Sequence, residues 1–115
     1  MERSVLITIP AYNEEANIKN VISSTKQFGD VVVFDNNSDD NTSKISLAEG
    51  AQTVLVKEQG YESVIFSILN FFEKSKYSKL IIIDGDGEVG LDVLFQAIKD
   101  LDFYDVVIGL SLIHI

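Results

Sequence analysis

Short apolar runs alternate with longer amphipathic stretches along this chain. Ser4 to Ile9 is apolar and ends at Pro10, and reads as a first strand. Asn13 is placed to cap a helix with Glu14 and Glu15 in its first turn. Ile18, Val21, Ile22, Thr25 and Phe28 then recur at helical spacing, and Gly29 closes the segment. Val31-Val32-Val33-Phe34 forms the second strand, opening at Asp30 and running into the polar cluster Asp35 to Thr42. Ile45 and Ala48 mark the apolar side of a short helix that Gly50 stops. Gln52 to Val56 is a third strand. Gly60 and Tyr61 precede a helix with Val64, Ile65, Ile68, Leu69 and Phe72 on one face. Leu80 to Ile83 is a fourth strand. Leu91, Leu94, Phe95, Ile98 and Leu101 predict a fourth helix, and Val106 to Ile108 a fifth strand.

Strand and helix alternate four times before the last strand. That order predicts an α/β fold with a mostly parallel sheet and helices on both faces. In such a sheet every strand ends on one edge, and ligands of open α/β sheets bind outside that edge. Three strand ends here are polar and unusual: Pro10 to Glu14, Asp35 to Asp39, and Asp84 to Glu88.

The third of these is the sharpest. The apolar run Leu80 to Ile83 stops at Asp84-Gly85-Asp86-Gly87-Glu88. Asp84 and Asp86 would share a face of a regular strand, and Gly85 and Gly87 let both turn toward one point. Two carboxylates about 5 Å apart repel by about 3 kcal/mol at an effective dielectric near 20. A divalent cation reverses that sign, and Mg²⁺ or Mn²⁺ held by such a pair would carry a phosphorylated ligand. The plain structural alternative is a strand end, a turn and a helix start. The same two readings stand at the second rim segment: Asn37, Ser38, Asp39 and Asp40 are ordinary turn and capping residues. Asp35 differs, because it ends a buried strand, where an uncompensated charge is costly. For Tyr12, packing on the rim and stacking on a base are both open.

At 115 residues, one domain is the expectation. A composition of 46% hydrophobic and 23% charged residues is that of a folded globular chain. The net charge of −9 disfavours DNA or RNA as partner but leaves a nucleotide open if a metal supplies positive charge. From Asp84 to Asp105 seven acids face one base, Lys99, and Asp100, Asp102 and Asp105 read as solvated surface. There is no cysteine, which excludes disulfides and thiolate metal sites, and the lone His114 carries no chemistry. No run approaches a membrane span or a signal-peptide core, so the cytoplasm is the default location. No Gly-x-Gly-x-x-Gly follows the first strand, and no phosphate-binding G-x-x-x-x-G-K-[ST] loop occurs.

The segments "IPAYNEE", "VVVFDNNSDDNT", "GYES", "LIIIDGDGEV" and "YDVVIG", in this order and spacing, resemble the family 2 glycosyltransferases. The resemblance covers residues 4 to 109 and leans toward the polyprenyl-phosphate sugar synthases. It implies a Rossmann-like GT-A fold that binds a nucleotide-diphosphate sugar and transfers the sugar with inversion to a polyprenyl phosphate or a polysaccharide. By that resemblance Pro10, Tyr12 and Glu14 line the nucleoside pocket, and Asp35 contacts base or ribose. Asp84 and Asp86 form the family's DXD motif for Mg²⁺ or Mn²⁺ and the donor diphosphate, with Asp86 the direct ligand.

Two departures stand out. Many members carry two acids where this chain has Asp35-Asn36. After "YDVVIG" the family continues with Ser-Arg and an acceptor half, where the catalytic base is expected. Any membrane-associating segment for a lipid acceptor is expected there too. Here Leu110 to Ile115 follows instead, and one reverse translation of it matches a sequencing-library adapter. The expectation is a donor-binding domain at residues 1–109, incomplete on its C-terminal side and inactive in transfer by itself, with a non-native tail at 110–115. Two rivals remain at this point. One is a phosphotransferase resembling the haloacid dehalogenases, with Asp84 as nucleophile. The other is a non-catalytic nucleotide-sugar-binding remnant.

Overall fold

The computed structural model describes residues 5–83, 106–108 and 111–112, the last two segments by their backbone. The chain runs β1 (Val5–Ala11), α1 (Ile18–Thr25), β2 (Asp30–Asp35), α2 (Thr42–Ala48), β3 (Gln52–Leu55), α3 (Tyr61–Lys74) and β4 (Lys79–Ile82). β5 (Val106–Ile108) and β6 (Ser111–Leu112) complete a six-stranded sheet of order β3-β2-β1-β4-β5-β6. All neighbours are parallel except β5 and β6. The predicted fourth helix lies outside the described residues. So does most of the 110–115 tail, in which Ser111–Leu112 pairs antiparallel with β5.

Period-two alternation divides the strands between two apolar layers. Ile7, Ile9 and Ala11 of β1, Val33 and Ile81 face Ile18, Val21 and Ile22 of α1, with Ile45 of α2 at the margin. Leu6, Val32, Phe34, Leu80 and Ile82 face Val64 and Ile68 of α3. Buried on both faces, the central strands read as continuous apolar runs. Phe34 is fully buried and meets Phe71 edge-on at 5.6 Å between ring centres. Thr8, the polar exception in β1, donates its hydroxyl to the Ile81 carbonyl at 3.1 Å.

Several boundaries differ from expectation. α1 starts at Ile18 rather than just after Asn13, and ends at Thr25, whose hydroxyl bonds back to Val21 O. Gly29 lies beyond the helix, where a Cβ would meet the Val5 carbonyl oxygen at 2.6 Å. In α2 the buried residues are Thr42 and Ser46, while Ile45 is half-buried and Ala48 exposed. The polar pair is buried because Ser46 donates to Thr42 O and Thr42 is held by neighbouring loops. On α3, Leu69 is 44% exposed, and Phe71 takes the place expected for it against the sheet.

Phe34 joins the sheet to α3 at the site-bearing end of β2. Phe34→Ala is expected to lower unfolding free energy by about 3–5 kcal/mol, as large-to-small changes at full burial do. Urea denaturation of the two chains measures it, and a loss below about 1 kcal/mol would contradict the packing described.

Candidate functional site

The strand order fixes where a ligand can enter. From β1 the chain winds outward through β2 to β3, then returns to the other side of β1 for β4 and β5. The direction reverses between β1 and β4, and in open parallel sheets the crevice at such a reversal is the binding position. On its β2 side β1 is paired as far as Ala11↔Asp35. On its β4 side the register stops at Thr8↔Ile82, with Ile83 N–H donating to Thr8 O at 2.9 Å. Backbone groups alternate sides along a strand, and Ala11 O faces β2, where it accepts from Asn36 N–H. Pro10 therefore turns its donor-less nitrogen toward β4, where a ladder could not continue. Pro10 is buried at this parting, Tyr12 just beyond is 48% exposed, and Glu14 is half-buried. Asp84 follows Ile83 directly and Asp86 comes two residues later; both lie outside the described residues. Among the described residues no group of three or more acids, histidines or cysteines could hold a metal.

Asp35 closes β2 at 3% exposure. Its Oδ1 accepts from the backbone N–H of Ser38 at 3.1 Å and from the Ser38 hydroxyl. Hydrogen bonds to a charged acceptor are each worth about 1.5–3 kcal/mol, enough to offset much of the cost of burying it. Oδ2 accepts no hydrogen bond among the described residues. The Ser38 hydroxyl in turn accepts from Asn13 N–H at 2.8 Å, so a relay runs from the first loop to the buried carboxylate.

The β1–α1 and β2–α2 loops are stitched together at four further points. Asn13 Oδ1 accepts from Asp39 N–H at 2.8 Å, and Asn41 N–H donates to Glu15 Oε2 at 3.2 Å. Glu14 N–H donates to Thr42 Oγ1 at 2.9 Å, and Glu15 N–H to Asp40 Oδ2 at 3.2 Å. These bonds explain why Asn13 is no helix cap. It sits in the left-handed region at φ 53°, which asparagine tolerates, and its side chain serves the neighbouring loop. Asp40, one residue before the Asn41 cap of α2, makes the turn that the sequence reading allows: its Oδ1 accepts from both Thr42 N–H and the Thr42 hydroxyl.

Partial desolvation works to raise the Asp40 pKa. The hydrogen bonds from the Thr42 hydroxyl and from the N–H groups of Thr42 and Glu15 outweigh it and hold the carboxyl below its ordinary value.

Asn36, 6% exposed, is the residue the sequence reading undervalued. Its Nδ2 donates to Val56 O at 3.1 Å and Glu58 O at 2.8 Å, and its Oδ1 accepts from Gly60 N–H at 3.0 Å. Its own carbonyl accepts from Gln59 Nε2 at 2.8 Å. The departure from an acid pair has a physical reason here. A carboxylate at position 36 would turn acceptors toward two carbonyl oxygens. The available signal was an amide, rather than an acid, immediately after a buried strand end.

A mostly parallel α/β sheet whose strand order reverses at β1 is a doubly wound fold, a class that binds its ligands outside the strand ends at that reversal. The family model for glycosyl transferase family 2 matches residues 6–114, and this chain belongs to that family. An uncharacterized glycosyltransferase of Mycobacterium tuberculosis is 27% identical over 99 residues, covering 86% of this chain and 44% of the relative. Protein RfbJ of Shigella flexneri is 30% identical over 86 residues, covering 72% of this chain and 64% of its own length. Among solved structures, glucosyl-3-phosphoglycerate synthase from M. tuberculosis in complex with UDP is 27% identical with a TM-score of 0.65. That match covers 73% of this chain and 34% of the other. The same enzyme with Mn²⁺, UDP-glucose and glycerol 3-phosphate is 26% identical with a TM-score of 0.64, over 72% and 34% of the two chains. The chain thus spans less than half the length of the mycobacterial relative it matches. Membership of this family displaces the phosphotransferase alternative for Asp84.

Asp40 gives a pH test of the loop clamp. Its folded pKa lies below the ordinary 3.8, so its contribution to stability is complete above that value and is lost as pH falls through the folded pKa. Asp40→Asn is expected to be less stable than wild type at pH 7, and the gap should close on acidification below pH 3.8. Thermal melts across that range check it. A gap independent of pH would show that the charge plays no part.

Proposed function

We propose that this chain is the donor-binding part of an inverting glycosyltransferase that holds a nucleotide-diphosphate sugar at the β1/β4 reversal point. The observation that carries this reading is the buried Asp35, fixed through Oδ1 by Ser38 and paired across the sheet with Ala11, while among the described residues Oδ2 accepts no hydrogen bond. Asp35 accepts a hydrogen bond from base or ribose. Pro10, Tyr12 and Glu14 supply the other wall of the nucleoside pocket.

Asp84 and Asp86 would hold Mn²⁺ or Mg²⁺, with Asp86 the direct ligand. An oxygen-seeking divalent ion suits a paired carboxylate that would otherwise repel itself. Such an ion neutralises the diphosphate and lowers the cost of its departure. Support comes from the solved synthase, which is in complex with Mn²⁺ and UDP-glucose.

In this reading residues 1–109 form the donor domain, and the catalytic base and the acceptor site are assigned to none of them. The acceptor is a polyprenyl phosphate or a growing glycan. The reading locates the protein in the cytoplasm, at the inner membrane face where the acceptor is a lipid. Among the described residues no helix is long and apolar enough to cross a membrane.

Titration calorimetry with UDP- and GDP-sugars tests this. Binding is expected with Mn²⁺ or Mg²⁺ and is abolished by chelation or by Asp86→Ala. Asp35→Ala should weaken it about tenfold, the worth of one hydrogen bond to a charged group. Binding that persists without metal and in Asp86→Ala would overturn the assignment of the acid pair. No binding of any nucleotide sugar would overturn the donor-site reading.

A further inference from the structure

We infer that Asn36 is a positioning residue for donor binding: its amide orders residues 56–60 beside Asp35 and thereby sets one wall of the site. The inference rests on the donor-site reading above. Lys57, Glu58, Gln59 and Gly60 are all exposed, and this loop has no apolar anchor of its own past Val56. Among the described residues, its hydrogen bonds to other segments end on residues 35–37. Val56 N–H donates to Asp35 O at 2.8 Å, and Gln59 Nε2 reaches Asn36 O and, at 3.5 Å, Asn37 O. The Asn36 side chain makes the other three, to Val56 O, Glu58 O and Gly60 N.

Both donors of that amide are used. Both Nδ2 protons and one Oδ1 lone pair go to the loop, so Asn36 has no donor left to offer a nucleotide. It acts through what it holds. Gly60, at φ 122°, is the residue from which α3 begins, so the same amide also fixes the start of that helix. The backbone N–H of Asn36 is tied to Ala11 O on β1. One residue therefore couples the end of β1 at Ala11, the end of β2 and the loop at residues 56–60.

Two variants separate positioning from mere stability. Asn36→Ala removes all three side-chain bonds. Asn36→Asp keeps the size but presents acceptors to Val56 O and Glu58 O. Both should speed amide hydrogen exchange at 56–61 at least tenfold, with α1 amides unchanged. Both should weaken UDP binding in Mn²⁺ at least tenfold, Asn36→Asp no less than Asn36→Ala. Ile22→Val, a core change in α1 that lowers melting temperature without touching the rim, serves as control and should leave UDP affinity unaltered.

Unchanged exchange at Gly60 in Asn36→Ala overturns the latch whether or not a nucleotide binds. Faster exchange with unaltered UDP affinity overturns the link to the donor. Equal loss of affinity in Ile22→Val overturns it too, by showing that stability alone governs binding. If wild type binds no nucleotide while exchange at 56–61 responds as expected, the donor-site reading fails and the positioning role falls with it.

Discussion

A carboxylate at 3% exposure, at the end of a strand with apolar residues before it, is the constraint around which this rim is built. Desolvating Asp35 is tolerable only if its charge is met by donors, and the donors come from Ser38, three residues on. That forces the chain after β2 to turn back at once, and Asn37 accomplishes the turn in the left-handed region at φ 60°. The Ser38 hydroxyl, having donated to Asp35, can still accept, and Asn13 N–H fills that role. One buried charge thus specifies the shape of its own loop and the docking of the loop before it.

The same logic separates what was legible in the sequence from what was not. β1, β2 and β4 were readable because strands covered on both faces are continuous apolar runs between polar ends, and β5 was readable at Val106 to Ile108 for the same reason. The start of α1 was not. Asn13-Glu14-Glu15 carries every local sign of a capped helix, but in the fold their N–H groups are claimed by Ser38, Thr42 and Asp40. Capping propensity is a local quantity, and here a loop 25 to 28 residues away offered better partners. Thr42 and Ser46 were invisible to an apolar-face reading of α2, because they are buried by hydrogen bonding rather than by hydrophobicity.

The candidate site was legible in part. That Pro10, Tyr12, Glu14 and Asp35 would share the C-terminal edge follows from parallel topology, and the described structure has them there. Which two strands flank the reversal does not follow from alternation of elements alone. It needs the order in space, and that order makes β1 the hinge between two directions of winding. Pro10 is the residue where sequence and topology meet. It sits at the point where pairing to β4 ends, and its missing N–H costs nothing there.

Rigidity and reactivity are divided among the rim residues accordingly. Asn13, Ser38, Asp40 and Thr42 hydrogen-bond among the first two loops, and Asn36 binds the loop at residues 56–60. Such saturation lowers the conformational freedom of the rim and leaves few groups with capacity for a ligand. Among the described residues, Asp35 Oδ2, which accepts no hydrogen bond from them, and the 48% exposed Tyr12 are two such groups. A net charge of −9 on the whole chain would ordinarily repel a diphosphate. On the proposed donor-site reading, recognition of an anion by this chain would therefore be divided: hydrogen-bonding contacts for the nucleoside, and a cation for the phosphates. Changing either should then alter affinity without displacing the other.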